Sequence, residues 1–274
     1  MTDLISVIIS TYNKPEYLRL TLASLQRQTD AHFEVIVADD GSDGRTARVV
    51  EEEKIKFRVP VTHVWQPKKG FRLAAVRNRA VEASHGSYLI FIDGDCIAPS
   101  DFVSTHRALA EHGWHVVGQR VLLSESFSKR LLSNSNIEQS VFPWSPAFIL
   151  KRFISGDINR LFAFANLPLG RYRYSQPKAW SRVRGCNWAM WADDYRAVNG
   201  SDEAFEGWGA EDTDLAIRLF NYGVKTKLGV CASRVLHLWH EPHKAVAGST
   251  KKDELIQRRI LSGDYEPTKG MRFS

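Results

Sequence analysis

The chain has 274 residues, 43% hydrophobic and 25% charged, ordinary values for a soluble globular protein and enough for one large α/β domain. Its net charge of +6 and pI near 9.2 fit an anionic partner, whether nucleic acid, an anionic membrane or a phosphorylated ligand. No apolar run reaches the roughly 20 residues that span a bilayer.

The N-terminus enters a strand pattern at once, so no leader is expected. Leu4–Ile9 reads as a buried strand ending at Ser10-Thr11-Tyr12-Asn13. Asn13 is predicted to cap a helix that Pro15 opens, with a Leu18, Leu22, Leu25 stripe running to Gln28. Phe33–Ala38 is a second strand, and it ends in acids, Asp39-Asp40-Gly41-Ser42. A polar helix over Thr46–Lys54, a strand over Val61–Trp65 and a helix over Leu73–Ala83 follow. Tyr88–Ile92 is bulky, β-branched and aromatic, the pattern of a strand buried on both faces. It stops on Asp93-Gly94-Asp95. Asp-Gly is a common turn pair. A paired acid at the end of a core strand is also costly unless a cation offsets it, which suits a metal-diphosphate site. Strand and helix alternating at this spacing predict a parallel sheet with ligands beyond the carboxyl ends of its strands. Thr11, Asp40 and Asp95 all fall at such ends.

The second half changes character. From about 124 to 177 the chain is rich in Phe, Arg, Ser and Asn, with Phe142-Pro143-Trp144-Ser145-Pro146 inside it. It reads either as an irregular extension on the core or as an acceptor or membrane-surface segment. Aromatics interleaved with Arg152, Arg160, Arg171 and Arg173 suit anionic lipid. Gly185–Trp191 is a short strand. Gly207-Trp208-Gly209-Ala210-Glu211-Asp212 then leads into a helix closed near Gly223. Acids in a first helical turn are explained by the helix dipole, but flanking glycines also let a ligand approach the backbone. A last strand is expected over Lys225–Val230. His237, His240 and His243 crowd seven residues and raise a metal reading. The final 30 or so residues are charged and expected to be peripheral. Cys96, Cys186 and Cys231 are widely spaced, form no metal-type pair and read as reduced, cytoplasmic thiols.

Ser-Thr-Tyr-Asn at 10–13, Ala-Asp-Asp-Gly-Ser at 38–42 and Asp-Gly-Asp at 93–95 resemble the GT-A glycosyltransferases of family 2. Gly70-Phe71-Arg72-Leu73-Ala74-Ala75-Val76-Arg77-Asn78 looks like the bacterial chondroitin polymerase type within that family. Gly207–Asp212 resembles the acceptor motif shared by β-1,4-galactosyltransferases and that polymerase. The resemblance covers most of 4–120 and 185–243 and is not carried by any motif in 124–177.

It implies an α/β GT-A fold: a Rossmann-like, mostly parallel sheet flanked by helices. Residues 1–120 would be the nucleotide-sugar half and 121–243 the acceptor half, with 124–177 inserted and 244–274 a tail. The implied reaction is metal-dependent, inverting transfer from a UDP-sugar to a hydroxyl of a glycan or glycolipid in bacterial cell-surface polysaccharide or lipopolysaccharide synthesis. Thr11, Tyr12 and Asn13 would border the nucleotide, Asp40 would accept from uracil N3–H, and Arg72 and Arg77 would lie near the diphosphate. Asp93 and Gly94 would face the donor, with Asp93, Asp95 and His237, or His240 in its place, on Mn²⁺ or Mg²⁺. Trp208 and Glu211 would hold the acceptor, and Asp212 would be the general base. An Asp after the Glu, where a retaining relative has Asn, favours inversion. Ala210 stands where galactosyltransferases have Gly, and their secretory disulfide context is missing, which leaves the acceptor open.

Three other readings compete. A nucleotidyltransferase would want a glycine-rich phosphate loop after the first strand, which Ser10–Lys14 is not. A catalytically silent nucleotide-sugar-binding protein would be expected to have lost Asp95 or Asp212. A nucleic-acid binder would cluster its basic residues, whereas these are spread among acids, so no nucleic acid is expected. The location expected is cytoplasmic, peripheral on the inner membrane face.

Overall fold

The fold is seen in a computed structural model that describes residues 4–133, 144–167, 170–174, 179–241 and 249–271. Phe142, Pro143, Pro177 and His243 lie outside these residues.

The first half runs β1 (Ile5–Thr11), α1 (Pro15–Leu25), β2 (Phe33–Asp39), α2 (Gly44–Lys54), β3 (Val61–Trp65), α3 (Leu73–Glu82) and β4 (Tyr88–Asp93). The central strands are dry on both faces. Ile5, Val7 and Ile9 join Leu18 and Leu22 of α1 in one core, while Ile8 joins Val76 and Ala80 of α3 in another. β4 alternates the same way, with Tyr88, Ile90 and Ile92 in the first core and Leu89 and Phe91 in the second. β3, β2, β1 and β4 lie side by side in parallel. The chain leaves β1 for β2 on one side and returns to β4 on the other, so a crevice opens between β1 and β4 at their carboxyl ends. Register sets Ser10 beside Asp93 and Thr11 beside Asp39.

The second half adds β5 (Cys96–Ile97), α4 (Phe102–Leu109), β6 (Trp114–Val117), β7 (Gln119–Leu122), α5 (Glu125–Ser133), α6 (Pro146–Ile154), β8 (Asn187–Trp191), α7 (Ala192–Ala197), α8 (Glu211–Tyr222), β9 (Lys225–Leu228), β10 (Arg234–His237) and α9 (Ser249–Ser262). β8 lies antiparallel between β4 and β6, and β9 pairs parallel with β6. The order of the large sheet is β3-β2-β1-β4-β8-β6-β9, and β5-β10-β7 form a small second sheet. The mostly parallel sheet flanked by helices is the expected architecture.

Several local expectations change. Asn13 does not cap α1. It takes a left-handed φ of 46°, its side chain accepts from the Asp43 N–H and its own N–H donates to Ser42 Oγ, while Lys14 occupies the cap position without a side-chain capping bond. Asn13 therefore ties the loop after β1 to the loop after β2. The 124–177 segment is part helical, through α5, α6 and short 3₁₀ turns. Two of the four arginines singled out from its sequence are structural. Arg173 is fully buried and donates to the carbonyls of Leu167, Leu228 and Val230, and Arg152 pairs with buried Asp157 at 3.0 Å.

The C-terminal segment is not peripheral. Ile256 of α9 packs on Phe205 and Ile217. Arg259, 3% exposed, donates to Asp202 at 2.9 Å and Asp214 at 3.2 Å, and Asp214 also holds Arg218 at 2.6 Å. Two buried carboxylates thus face two buried guanidiniums, and removing one leaves a charge uncompensated. Arg259→Met is expected to cost about 3–5 kcal/mol of stability, read from urea unfolding at fixed m-value.

Candidate active site

At the end of β4 the chain must turn without leaving the crevice. Gly94 does this: its N–H donates to the Ser10 carbonyl at 2.8 Å, and a Cβ there would press within 3.1 Å of Ser10 O and Thr11. The turn leaves Asp93 and Asp95 on the crevice floor.

Arg77 reaches across from α3. Its side chain is 5% exposed; it lies 3.5 Å from Asp93 and 2.5 Å from Asp212 Oδ1, and it donates to Ser10 Oγ at 3.1 Å. Burial disfavours its charge, yet Asp212, Asp93 and Glu211 outweigh that and hold it protonated. The other Asp212 oxygen accepts from the Gly185 N–H at 2.8 Å. Gly185 has no room for a side chain, since a Cβ would fall 2.5 Å from both Arg77 Nη2 and Asp212 Oδ2. The Asp212 carboxylate is therefore fixed in orientation while 23% of its side chain stays open. Asp93 is 34% open. Burial raises its pKa against the pull of Arg77, and Asp95 and Asp212 add to the rise.

Asp95 is the hub of a second cluster. Lys14 Nζ lies 3.1 Å from its Oδ2, His240 Nε2 3.3 Å from the same oxygen and His237 Nε2 3.5 Å from Oδ1. Burial opposes its charge, but His237, Lys14 and His240 together hold its pKa below the ordinary carboxylate range. Burial lowers His237 in turn, against the pull of Asp95 and helped by Arg120, His240 and Lys14, which favours the neutral form that can ligate. Ligand atoms of Asp95, Cys96 and His237 lie within 4.8 Å of one another. Burial pushes the Cys96 thiol well up, so it stays protonated and its sulfur donates weakly to Asp95. The fitting donor set is hard carboxylate oxygen plus neutral imidazole, which suits Mn²⁺ or Mg²⁺ better than structural zinc.

The end of β2 forms a third cluster. Asp40, 3% exposed, accepts from Gln66 at 2.6 Å, Lys68 at 3.3 Å and the Arg72 backbone N–H at 2.9 Å. Lys68 also sits 3.4 Å over the Tyr12 ring. The Arg72 guanidinium turns to the Pro67 carbonyl. Arg72 thus meets this cluster through its backbone, and the committed fork of Arg77 goes to protein carboxylates. Thr11 Oγ1 is buried with no hydrogen-bond partner among the described residues.

Glu211 opens α8 and is 7% exposed, with Oε2 likewise buried and unpartnered among those residues. Burial, reinforced by Asp212, pushes its carboxyl up to about 7. Trp208, just before it, is 52% exposed.

Sequence reading missed Ser10, Lys14, Gln66, Lys68 and Gly185. Lys14 directly follows the Ser-Thr-Tyr-Asn stretch and was the most findable, as the first cation beyond a strand end.

The sequence model of glycosyl transferase family 2 matches residues 6–166, and that of the N-terminal domain of galactosyltransferase matches residues 167–241. Validoxylamine A glucosyltransferase of Streptomyces hygroscopicus subsp. jinggangensis is 32% identical over 81% of this chain and 52% of its own length. Chondroitin synthase of Escherichia coli is 26% identical over 81% of this chain and 33% of its own. The chain thus spans about half or less of these relatives. Among solved structures, S. aureus TarS with UDP-GlcNAc superposes with a TM-score of 0.62 at 14% identity, covering 94% of this chain and 66% of that one. Mannosyltransferase PcManGT from Pyrobaculum calidifontis, with GDP-Man and Mn²⁺, does so at 0.59 and 15%, covering 94% and 63%.

Proposed function

Because the chain belongs to glycosyl transferase family 2, we propose that it is an inverting glycosyltransferase. It moves a sugar from a UDP-sugar to a hydroxyl of a glycan or glycolipid in cell-surface polysaccharide synthesis. The observation that carries this is Arg77, which joins Asp93 at 3.5 Å to Asp212 at 2.5 Å. One buried guanidinium thereby holds the donor-side acid and the acceptor-motif acid in a single cleft.

The roles follow from position. Asp40 and Tyr12 border the base, and Thr11 Oγ1 is an unpartnered group facing the same end. Asp93, Asp95 and His237 would hold a divalent cation, with His240 an equally placed alternative. When bound, that cation offsets the negative charge that develops on the departing diphosphate. Trp208 and Glu211 face the acceptor. Asp212 accepts the proton of the acceptor hydroxyl as that oxygen bonds to the anomeric carbon and the bond to the diphosphate breaks. Arg77 and the Gly185 N–H keep the Asp212 carboxylate aimed throughout. One displacement inverts the anomeric centre.

Support for the donor class comes from the nucleotide sugars named in the TarS and PcManGT structures. The choice of uridine rests on Asp40 as an acceptor for N3–H. Asp95→Ala is expected to abolish Mn²⁺ binding, followed by electron paramagnetic resonance, and UDP is expected to bind more tightly than GDP or CMP by calorimetry. GDP binding more tightly would reject the uridine assignment.

Asp212→Asn keeps shape and removes basicity. Its turnover should fall about 10²–10⁴-fold with UDP affinity unchanged, whereas Glu211→Gln should raise acceptor KM more than it lowers kcat. The opposite pattern would exchange the two roles, and a product that keeps the donor configuration by NMR would reject inversion.

An anionic membrane is the proposed docking surface. Phe148, Ile149 and Arg152 turn one face of α6 inward, while Leu150, Lys151, Phe153 and Ile154 stay exposed on the other. Phe162 is 78% exposed nearby in sequence, beside exposed Arg160. Among the described residues no helix is long and apolar enough to cross a membrane. Leu150→Ser with Ile154→Ser is expected to cut co-sedimentation with phosphatidylglycerol vesicles severalfold, and binding that persists unchanged would reject this face.

A further inference from the structure

The loop that carries Trp208 has an unusual backbone. Gly207, Gly209 and Ala210 have φ of 77°, 92° and 77°, so three of four consecutive residues are left-handed. Two are glycine, which tolerates this conformation, and Ala210 is held there against its preference. The three carbonyls of Gly207, Trp208 and Gly209 converge on one atom, Lys252 Nζ of α9, at 3.0, 3.2 and 3.1 Å. An ammonium carries three N–H donors and no acceptor, so the match is complete. On its other side the loop is tied to the donor half, because the Gly207 N–H donates to the Phe71 carbonyl at 2.9 Å.

Lys252 stands on a rigid base. Ile256, one turn later, packs on Phe205 and Ile217, and Arg259 is locked to Asp202 and Asp214. A surface lysine pairing with solvent would need no such anchor. We propose that Lys252 is a positioning residue for the acceptor side, fixing the Gly207–Ala210 loop and with it the exposed Trp208 ring at the mouth of the cleft. The inference rests on the reading of Trp208 as an acceptor platform. It makes the C-terminal helix part of the active-site wall.

The test uses the full chain with Lys252→Met, which keeps most of the stem and removes all three donors, and with Lys252→Arg, which keeps charge and donors. Hydrogen exchange at Gly207–Glu211 should quicken about tenfold in the Met variant. Amides of Asn187–Trp191 and affinity for UDP should not change, and Arg should restore most of the protection. Acceptor engagement is read as quenching of tryptophan emission by p-nitrophenyl glycosides of glucose, galactose, N-acetylglucosamine and N-acetylgalactosamine. Lys252→Met should raise the Kd read from quenching about tenfold, worth 1.4 kcal/mol, and Trp208→Ala should abolish the quenching. If Trp208→Ala abolishes quenching while Lys252→Met leaves loop exchange and quenching as in the wild type, Lys252 has no positioning role and the acceptor reading stands. If Trp208→Ala leaves quenching intact, or no glycoside quenches the wild type, the acceptor reading falls and the positioning role falls with it. Equal acceleration at Asn187–Trp191 would make Lys252 a general stabiliser and overturn the inference.

Discussion

A guanidinium buried as deeply as Arg77 is tolerable only if its charge is met by carboxylates that stay close. Asp93, Asp212 and the Ser10 hydroxyl supply that compensation. Each comes from a different element: the end of β4, the first turn of α8 and the end of β1. The dependence is mutual. Asp212 and Glu211 begin a helix inside the cleft beside Asp93 and Asp95, and without a cation among them four acids would repel one another. Lys14 serves Asp95 as Arg77 serves Asp93 and Asp212. Even with Arg77, Lys14 and Arg120 acting on this group of acids, Asp93 and Glu211 are held above the ordinary carboxylate range, the electrostatic setting a divalent ion would relieve.

The Asp40 cluster and the Trp208 loop are also joined through backbone. Asp40 accepts the Arg72 N–H, and the Phe71 carbonyl beside it accepts the Gly207 N–H. Three adjacent residues, 71, 72 and 73, therefore close the Asp40 cluster, contact the Trp208 loop and start the helix that carries Arg77. This accounts for a glycine-led, tightly turned stretch at Gly70, whose φ is 77°. The same short segment touches both loops because β3 delivers it to the mouth of the crevice.

β1, β2 and β4 were legible because burial on both faces leaves a mostly apolar run, and the acids that end β2 and β4 stand out against it. The antiparallel insertion of β8 was not legible, because Asn187–Trp191 is equally apolar whichever way it points. The site acids were visible as motifs, whereas their partners were not. Lys14 meets Asp95 from 81 residues away and Arg77 meets Asp212 from 135, and no local pattern encodes such contacts. The tail misled for the same reason. Ser249–Ser262 is highly charged, which usually marks a solvated face, yet Arg259 spends its charge inside on Asp202 and Asp214. Arg173 misled in the same way, through three carbonyls that only the folded chain brings together.

Long-range closure also explains why a glycine far from either acid motif constrains the geometry of the cleft. Gly185 ends the stretch that leads into β8, and its N–H is one of two groups that aim Asp212. A methyl group there would collide with Arg77 and Asp212 at once. Relief would require the guanidinium to back away, and it has nowhere to go, since the Phe91 ring lies 5.7 Å beneath it and Ser10 holds its Nε. Relief by moving Asp212 would turn α8 and drag Glu211 and the Lys252-bound loop with it. Either route shifts Asp212 against Arg77 and Asp93, and under the proposed base role a shift of about 1 Å would cost about 10²-fold in rate. The cleft is therefore specified as much by the absence of a side chain at residue 185 as by the acids that line it.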